Sequence, residues 1–140
     1  MNIFRALFGG TQEDEDRVGR DRYVTDLGYC ENLVRQVSLA PVTFAQLERF
    51  GFGDCSAYML EFLFHTNSAD KADALCSSLR QRKYEVQADA RPSDRGHFSI
   101  TGWAGPLPLD DHSVTVWVEN MCQLGFEHDC EFDSWGVYPE

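Results

Sequence analysis

The stretch from Tyr58 to His65 limits the possible folds more than any other. Tyr58, Leu60, Phe62 and Phe64 alternate with Met59, Glu61, Leu63 and His65. A period of two puts the four bulky side chains on one face of a strand. Such a strand is stable only when another layer covers that face. A cover follows at once in the chain. Asn67-Ser68 offers capping side chains, and Ala69, Ala72, Leu75, Cys76 and Leu79 then keep a helical stripe. Asp70 and Asp73 come early and Arg80, Arg82 and Lys83 late, the charge order that suits a helix dipole.

The same two periods recur downstream. Tyr84, Val86, Ala88 and Ala90 alternate with Glu85, Gln87 and Asp89, and Pro92-Ser93-Asp94-Arg95-Gly96 supplies a turn. His97 to Trp103 then reads as the returning strand of a hairpin. After Gly105-Pro106-Leu107-Pro108, Asp110 and Asp111 precede Val114, Trp117, Val118, Met121 and Cys122 at helical spacing. Phe126, His128, Cys130 and Phe132 finally alternate with Glu127, Asp129, Glu131 and Asp133, which predicts a last strand. The order βαββαβ predicts an α+β fold, a ferredoxin-like split sandwich over residues 55–140.

Residues 1–54 are expected to form a helical extension packed on that core. Tyr23, Leu27, Cys30, Val34 and Val37 recur at three- and four-residue steps, predicting one amphipathic helix that Pro41 stops. Thr43 to Phe50 predicts a second, with Phe44, Leu47 and Phe50 on one side and Gly51-Phe52-Gly53 ending it. Gly9-Gly10, followed by the acids Glu13 to Asp16, reads as a hinge. Ahead of it, Ile3, Phe4, Leu7 and Phe8 form an apolar opening too short for a signal sequence or a membrane span. It either docks on the domain, frays, or tethers the chain to a membrane surface.

Charge narrows the function. With 23 acids against 12 bases and a net charge of −11, the chain is poorly suited to bind nucleic-acid phosphate directly, because that attraction needs clustered Lys and Arg. A protein partner with a basic surface fits better, although acidity also serves plain solubility. The charge is unevenly placed: after Arg95 there are eight Asp or Glu and no Lys or Arg. Five scattered cysteines without a CxxC pair predict reduced thiols and a cytoplasmic location. Cys122, His128 and Cys130 offer three soft ligands at an unusual spacing and no fourth, so no metal is expected. No phosphate-binding loop appears, so no cofactor is expected either. His65, His97 and His112 are isolated and no nucleophile elbow is present, which points away from an enzyme.

The candidate protein-binding residues are Glu127, Asp129, Glu131, Asp133, Trp135 and Trp103. In an unbroken strand the four acids share one face, with carboxylates about 6.6 to 7 Å apart, like a row of phosphates. The competing reading is that charges on an edge strand only discourage aggregation. Trp103 falls opposite core-directed Phe98 and Ile100, on the face of Met59 and Leu63. That face either anchors a partner or is covered by the N-terminal helices.

The segment Cys130-Glu131-Phe132-Asp133-Ser134-Trp135-Gly136 resembles the regulator of ribonuclease activity B (RraB) family, in which an acidic, aromatic strand runs into a Tyr-Asp-Gly-Trp-Gly-like ending. Phe132 and Ser134 stand in place of the tyrosine and first glycine. The resemblance extends in element order over residues 55 to 136. It implies a ferredoxin-like, non-catalytic protein that binds and inhibits ribonuclease E and so modulates RNA turnover. The alternative is an immunity protein that neutralises a cognate toxin, such as a nuclease, through the same kind of compact acidic surface.

Overall fold

The structure, a computed structural model, describes residues 22–49, 51, 57–89, 91–93, 95–108 and 110–138. The apolar opening Ile3 to Phe8, the Gly9-Gly10 hinge, Phe50 and the Phe52-Gly53 turn lie outside them. The described elements run α1 (Asp26–Arg49), β1 (Ala57–Thr66), α2 (Ala69–Gln81), β2 (Glu85–Ala88), β3 (Phe98–Pro108), α3 (Asp111–Glu127) and β4 (Glu131–Tyr138). The strands make one antiparallel sheet in the order β2-β3-β1-β4. From β1 onward this is the expected βαββαβ split sandwich, an α+β ferredoxin-like fold.

The alternation in β1 holds: Tyr58, Leu60, Phe62 and Phe64 are all buried. They meet Leu75 and Leu79 of α2 and Val114, Val118 and Met121 of α3 in one core that also takes Ile100 and Phe132. Asp110 caps α3, its carboxylate accepting the Ser113 N–H at 2.8 Å, as the acid pair predicted.

The last strand begins later than its sequence pattern and runs on to Tyr138. Phe126 and Glu127 finish α3, His128 is its C-cap, and the chain turns through Asp129 before β4 begins at Glu131. Asp129 adopts φ +58°, in the left-handed region, which Asp tolerates better than most residues. Gly125 makes the turn tight, since a Cβ there would stand 2.7 Å from the Cys130 carbonyl and 2.8 Å from the Phe64 ring. The Asp129 side chain is buried rather than displayed. It accepts the Tyr23 and Val24 N–H groups at 2.7 Å each and an ion pair from Lys71 Nζ at 2.6 Å. Thr66, at the end of β1, donates to its carbonyl at 2.9 Å.

That turn fixes where α1 starts. Thr25 accepts the Gly28 N–H at 3.0 Å and opens the helix. The helix then continues without a break to Arg49, with Pro41 inside it, so the expected stop at Pro41 and separate second helix are corrected to one element. Pro41 only withholds one N–H from the ladder, and Phe44 and Leu47 beyond it pack on the core.

The buried face of α1 also differs from the apolar stripe. Leu27, Cys30 and Val34 are exposed, Val34 by 65%. Asn32, Gln36 and Ala40 are buried instead, beside Tyr29 and Leu33. The physical reason lies in β4, an edge strand whose outer carbonyls need donors. Asn32 donates to the Phe132 carbonyl at 2.9 Å and Gln36 to the Asp133 carbonyl at 2.9 Å. α1 therefore lies along that edge and against α3, where Tyr29 stacks on Phe126 at 4.4 Å.

Removing a buried, multiply bonded carboxylate leaves its donors stranded. Asp129→Ala is expected to cost on the order of 3 kcal/mol in urea unfolding. Asp129→Asn should recover only part of this, because its amide nitrogen would face a backbone N–H or the ammonium.

Candidate protein-docking surface

Helices α2 and α3 cover one face of the sheet, and α1 closes its β4 edge. The opposite face is lined by the odd-numbered residues of β1, namely Met59, Glu61, Leu63 and His65, all half-buried. Cross-strand register sets their neighbours. Trp103 lies directly between Glu85 and Glu61, and Gly136 continues that row. Thr101 lies between Gln87 and Leu63, with Ser134 beyond. Ser99 and Glu131 flank His65. From His97 to Trp103 along β3 the face is roughly 20 Å long, at about 3.4 Å per residue.

Two sequence-predicted acids, Glu131 and Asp133, are on this face with Trp103. A register shift at Leu63/Phe64 makes β4 irregular at Asp133, which reaches within 3.9 Å of the His65 Nε2. The other three candidates go elsewhere. Glu127 ends α3 in solvent, and Asp129 is the buried turn residue. Trp135 is brought by the same register shift opposite Phe62, on the helix-covered face. There its ring packs edge-on against Trp117, centroids 6.1 Å apart. The expected single row of four carboxylates is therefore corrected to two acids on β4, because the turn and the bulge each interrupt the alternation.

Glu61 and Glu85 were missed as candidates, although their phase was readable. Glu61 shares the parity of Met59 and Leu63, and Glu85 opposes that of Val86. What the sequence lacked was the strand order that sets both beside Trp103. Their strands are about 10 Å apart, and two unit charges at that distance repel by only about 0.4 kcal/mol in water. The domain can therefore hold them together at little electrostatic cost.

At one end of the face the chain's N-terminal lead-in arrives. The Tyr23 ring meets His97 edge-on at 5.0 Å. Burial, then the charges of Glu131 and Asp133, push its phenol up to about 12. His65 shares a hydrogen bond with Ser99 at 3.3 Å. Among the described residues no helix covers this face: the alternative in which α1 buried it is excluded by the position of α1 at the edge.

The three buried thiols offer little chemistry. Burial pushes Cys122 and Cys130 up to about 12 and raises Cys76, so they stay protonated near neutrality and are poor nucleophiles or metal ligands. Among the described residues no three His, Cys, Asp or Glu side chains converge as a metal site, and no described helix is long and apolar enough to cross a membrane. What this face can do is bind, with an apolar and aromatic floor inside an acidic rim, a composition suited to an interface.

The family model described as Regulator of ribonuclease activity B matches residues 42–137. That span includes α2, α3, the end of α1 and all four strands but for the last residue of β4. No curated protein matches the chain.

The two tryptophans should separate cleanly on substitution. Trp135→Ala removes a ring packed on Trp117 and is expected to cost roughly 3 kcal/mol of stability. Trp103→Ala should weaken partner binding at least tenfold, the loss expected for an interface anchor.

Proposed function

This chain belongs to the regulator of ribonuclease activity B family, and from that premise we propose that it restrains a ribonuclease E-like enzyme without catalysis, by docking a basic surface of that enzyme on the open sheet face. The observation that carries the reading is the charge of the strands. They contain Glu61, Glu85, Glu131 and Asp133, all four on the open face, and no Lys or Arg. A nuclease holds RNA with clustered cations. An acidic face about 20 Å long competes for the same groups, and complementary charge speeds the encounter.

The row Glu85-Trp103-Glu61 suits arginine in particular. A guanidinium can stack on an indole while carboxylates on either side accept its N–H groups. An ammonium lacks that planar fork. Met59 and Leu63 add an adaptable apolar floor, so burial supplies affinity while the acids supply rate and register. Occupying the enzyme's RNA-binding cations lowers RNA turnover with no bond made or broken by this chain.

The test is association kinetics with a purified ribonuclease E-type enzyme from the same cells, across a range of salt. The wild-type chain is expected to bind it and to slow RNA cleavage. The variant Glu61→Gln/Glu85→Gln/Glu131→Gln/Asp133→Asn should associate on the order of tenfold more slowly at low salt and show a flatter salt dependence. Glu127→Gln should behave as wild type. An unchanged salt slope in the fourfold variant would remove the face from the interface. Recovery of a cognate toxin in place of any ribonuclease would return the immunity reading.

A further inference from the structure

Helix α1 turns its apolar seam away from the domain. Leu27, Cys30, Val34, Val37 and Pro41 recur at alternating three- and four-residue steps, the spacing with which one helix packs along another. The side of α1 that meets the β4 edge and α3 is a different one, carrying Tyr29, Asn32, Leu33, Gln36 and Ala40. Leu27, Cys30, Val34 and Pro41 stay exposed, and Val37 is half-buried. Beside the far end of the seam, Pro41, Val42, Ala45, Gln46 and Arg49 line an open groove of about 390 Å³. Docking on the sheet face uses none of these residues.

A second copy of this chain fits that seam. The chain carries a net charge of −11, but α1 holds only three acids, Asp26, Glu31 and Glu48, against the bases Arg35 and Arg49, so two copies meet there with the least repulsion. Antiparallel pairing opposes the helix dipoles and lets each contact occur twice about a twofold axis. With that axis at Val34, Leu27 is level with the second copy's Pro41 and can enter its groove. Glu31 is level with the second copy's Val37, about 3 Å along the helix from Arg35, so its carboxylate can reach that guanidinium. Arg35 already donates to Asn32 Oδ1, and a guanidinium has further donors to spare. A parallel pair would instead align the dipoles and set Glu31 beside Glu31.

We propose that α1 is a self-association surface on which two copies pair antiparallel about Val34, Leu27 of each entering the other's groove at Pro41, Val42 and Ala45, and Glu31 of each facing the other's Arg35. From Leu27 to Pro41 the paired strips run about 21 Å, at about 1.5 Å per residue, and are about 10 Å across. That is an interface of the small class, below about 1,200 Å² in total, and the dimer is reversible, with a Kd on the order of 0.1 mM. Salt strengthens it, because screening relieves the repulsion between two acidic chains, whereas salt weakens docking on a basic enzyme. Since α1 lies at the β4 edge, pairing leaves the open sheet face of each copy uncovered, and one dimer presents two such faces.

The experiment is sedimentation equilibrium of the full chain alone, from about 10 µM to about 1 mM, at low and high salt. A monomer–dimer equilibrium near 0.1 mM that tightens with salt is expected. Val34→Glu, at an exposed position that should leave circular dichroism and melting unchanged, should weaken association at least tenfold. Glu31→Arg and Arg35→Glu should each weaken it about threefold, and the two together should restore it, which altered packing alone would not do. On mild oxidation the variant Cys30→Ser/Val34→Cys/Cys55→Ser should form a disulfide-linked dimer. Cys55→Ser alone, which keeps Cys30, should not, because antiparallel pairing sets the two Cys30 residues about 12 Å apart along the axis. A chain still monomeric at 1 mM would overturn the proposal, as would a dimer indifferent to Val34→Glu. Failure of Val34→Cys to cross-link, or cross-linking through Cys30, would overturn the antiparallel pairing about Val34.

Discussion

The arrangement depends on the carboxylate of Asp129. It is the only buried acid among the described residues, and it sits where four parts of the chain meet. The α3 to β4 turn holds its backbone, whose carbonyl accepts from Thr66 of β1, while Lys71 reaches the carboxylate from α2 and the amides of Tyr23 and Val24 from the segment ahead of α1. A buried charge is tolerated only when its lone pairs are used, and here two backbone N–H groups and an ammonium use them. Lys71 also holds Asn67 at 2.9 Å, so the network extends into the start of α2. An acid in an acidic chain thus acts as a local attractor for donors, and what it attracts is the N-terminal helix.

The position of that helix decides which surface stays open. Side-chain amides of α1 satisfy the outer carbonyls of β4, closing one edge of the sheet against pairing with another chain. The other edge is β2, four residues long, where the Arg80 guanidinium covers the Val86 carbonyl at 3.2 Å. Short length and a charged side chain on a carbonyl both discourage further strand addition. With its edges guarded and one face covered by α2 and α3, the sheet keeps one broad surface for contact. The same helix that could have hidden Trp103 is held aside by Asp129, Asn32 and Gln36.

Much of this was legible in the sequence, for identifiable reasons. β1 and α2 were readable because their apolar residues follow one period for a full element and nothing local contradicts it. The stretch from Phe126 to Asp133 misled because its alternation spans two structures: the last turn of a helix and a reversal happen to carry apolar residues at even numbers too. Asp129 gave no sign of burial, since its donors come from 105 residues away in sequence. A bulge leaves no signature in composition, so the parity of Trp135 could not be read past Asp133. In α1 the error had a different source. Amides are counted as solvent-facing, yet Asn32 and Gln36 face carbonyls that only the strand order exposes, and the apolar Val34 is left outside. Trp103 was placed correctly because its hairpin keeps an unbroken alternation from Phe98 to Trp103.

The uneven charge of the chain follows from this geometry. After Arg95 the chain supplies β3, α3 and β4 with no cation at all. The described Lys and Arg belong to the lead-in, α1, α2, the turn after α2 and the hairpin, where Arg22 and Lys71 serve Asp129 and Arg80 serves β2. Solubility alone would be met by either sign anywhere on the surface. Keeping every strand free of cations suits the docking of a positive ligand proposed above, because a single Lys beside Trp103 would neutralise the carboxylates that frame it. A row of four acids on one strand would have attracted any cation. One acid on each side of an indole, on three neighbouring strands, suits the flat cation with apolar company proposed for this face, and that preference is set by cross-strand register rather than by net charge.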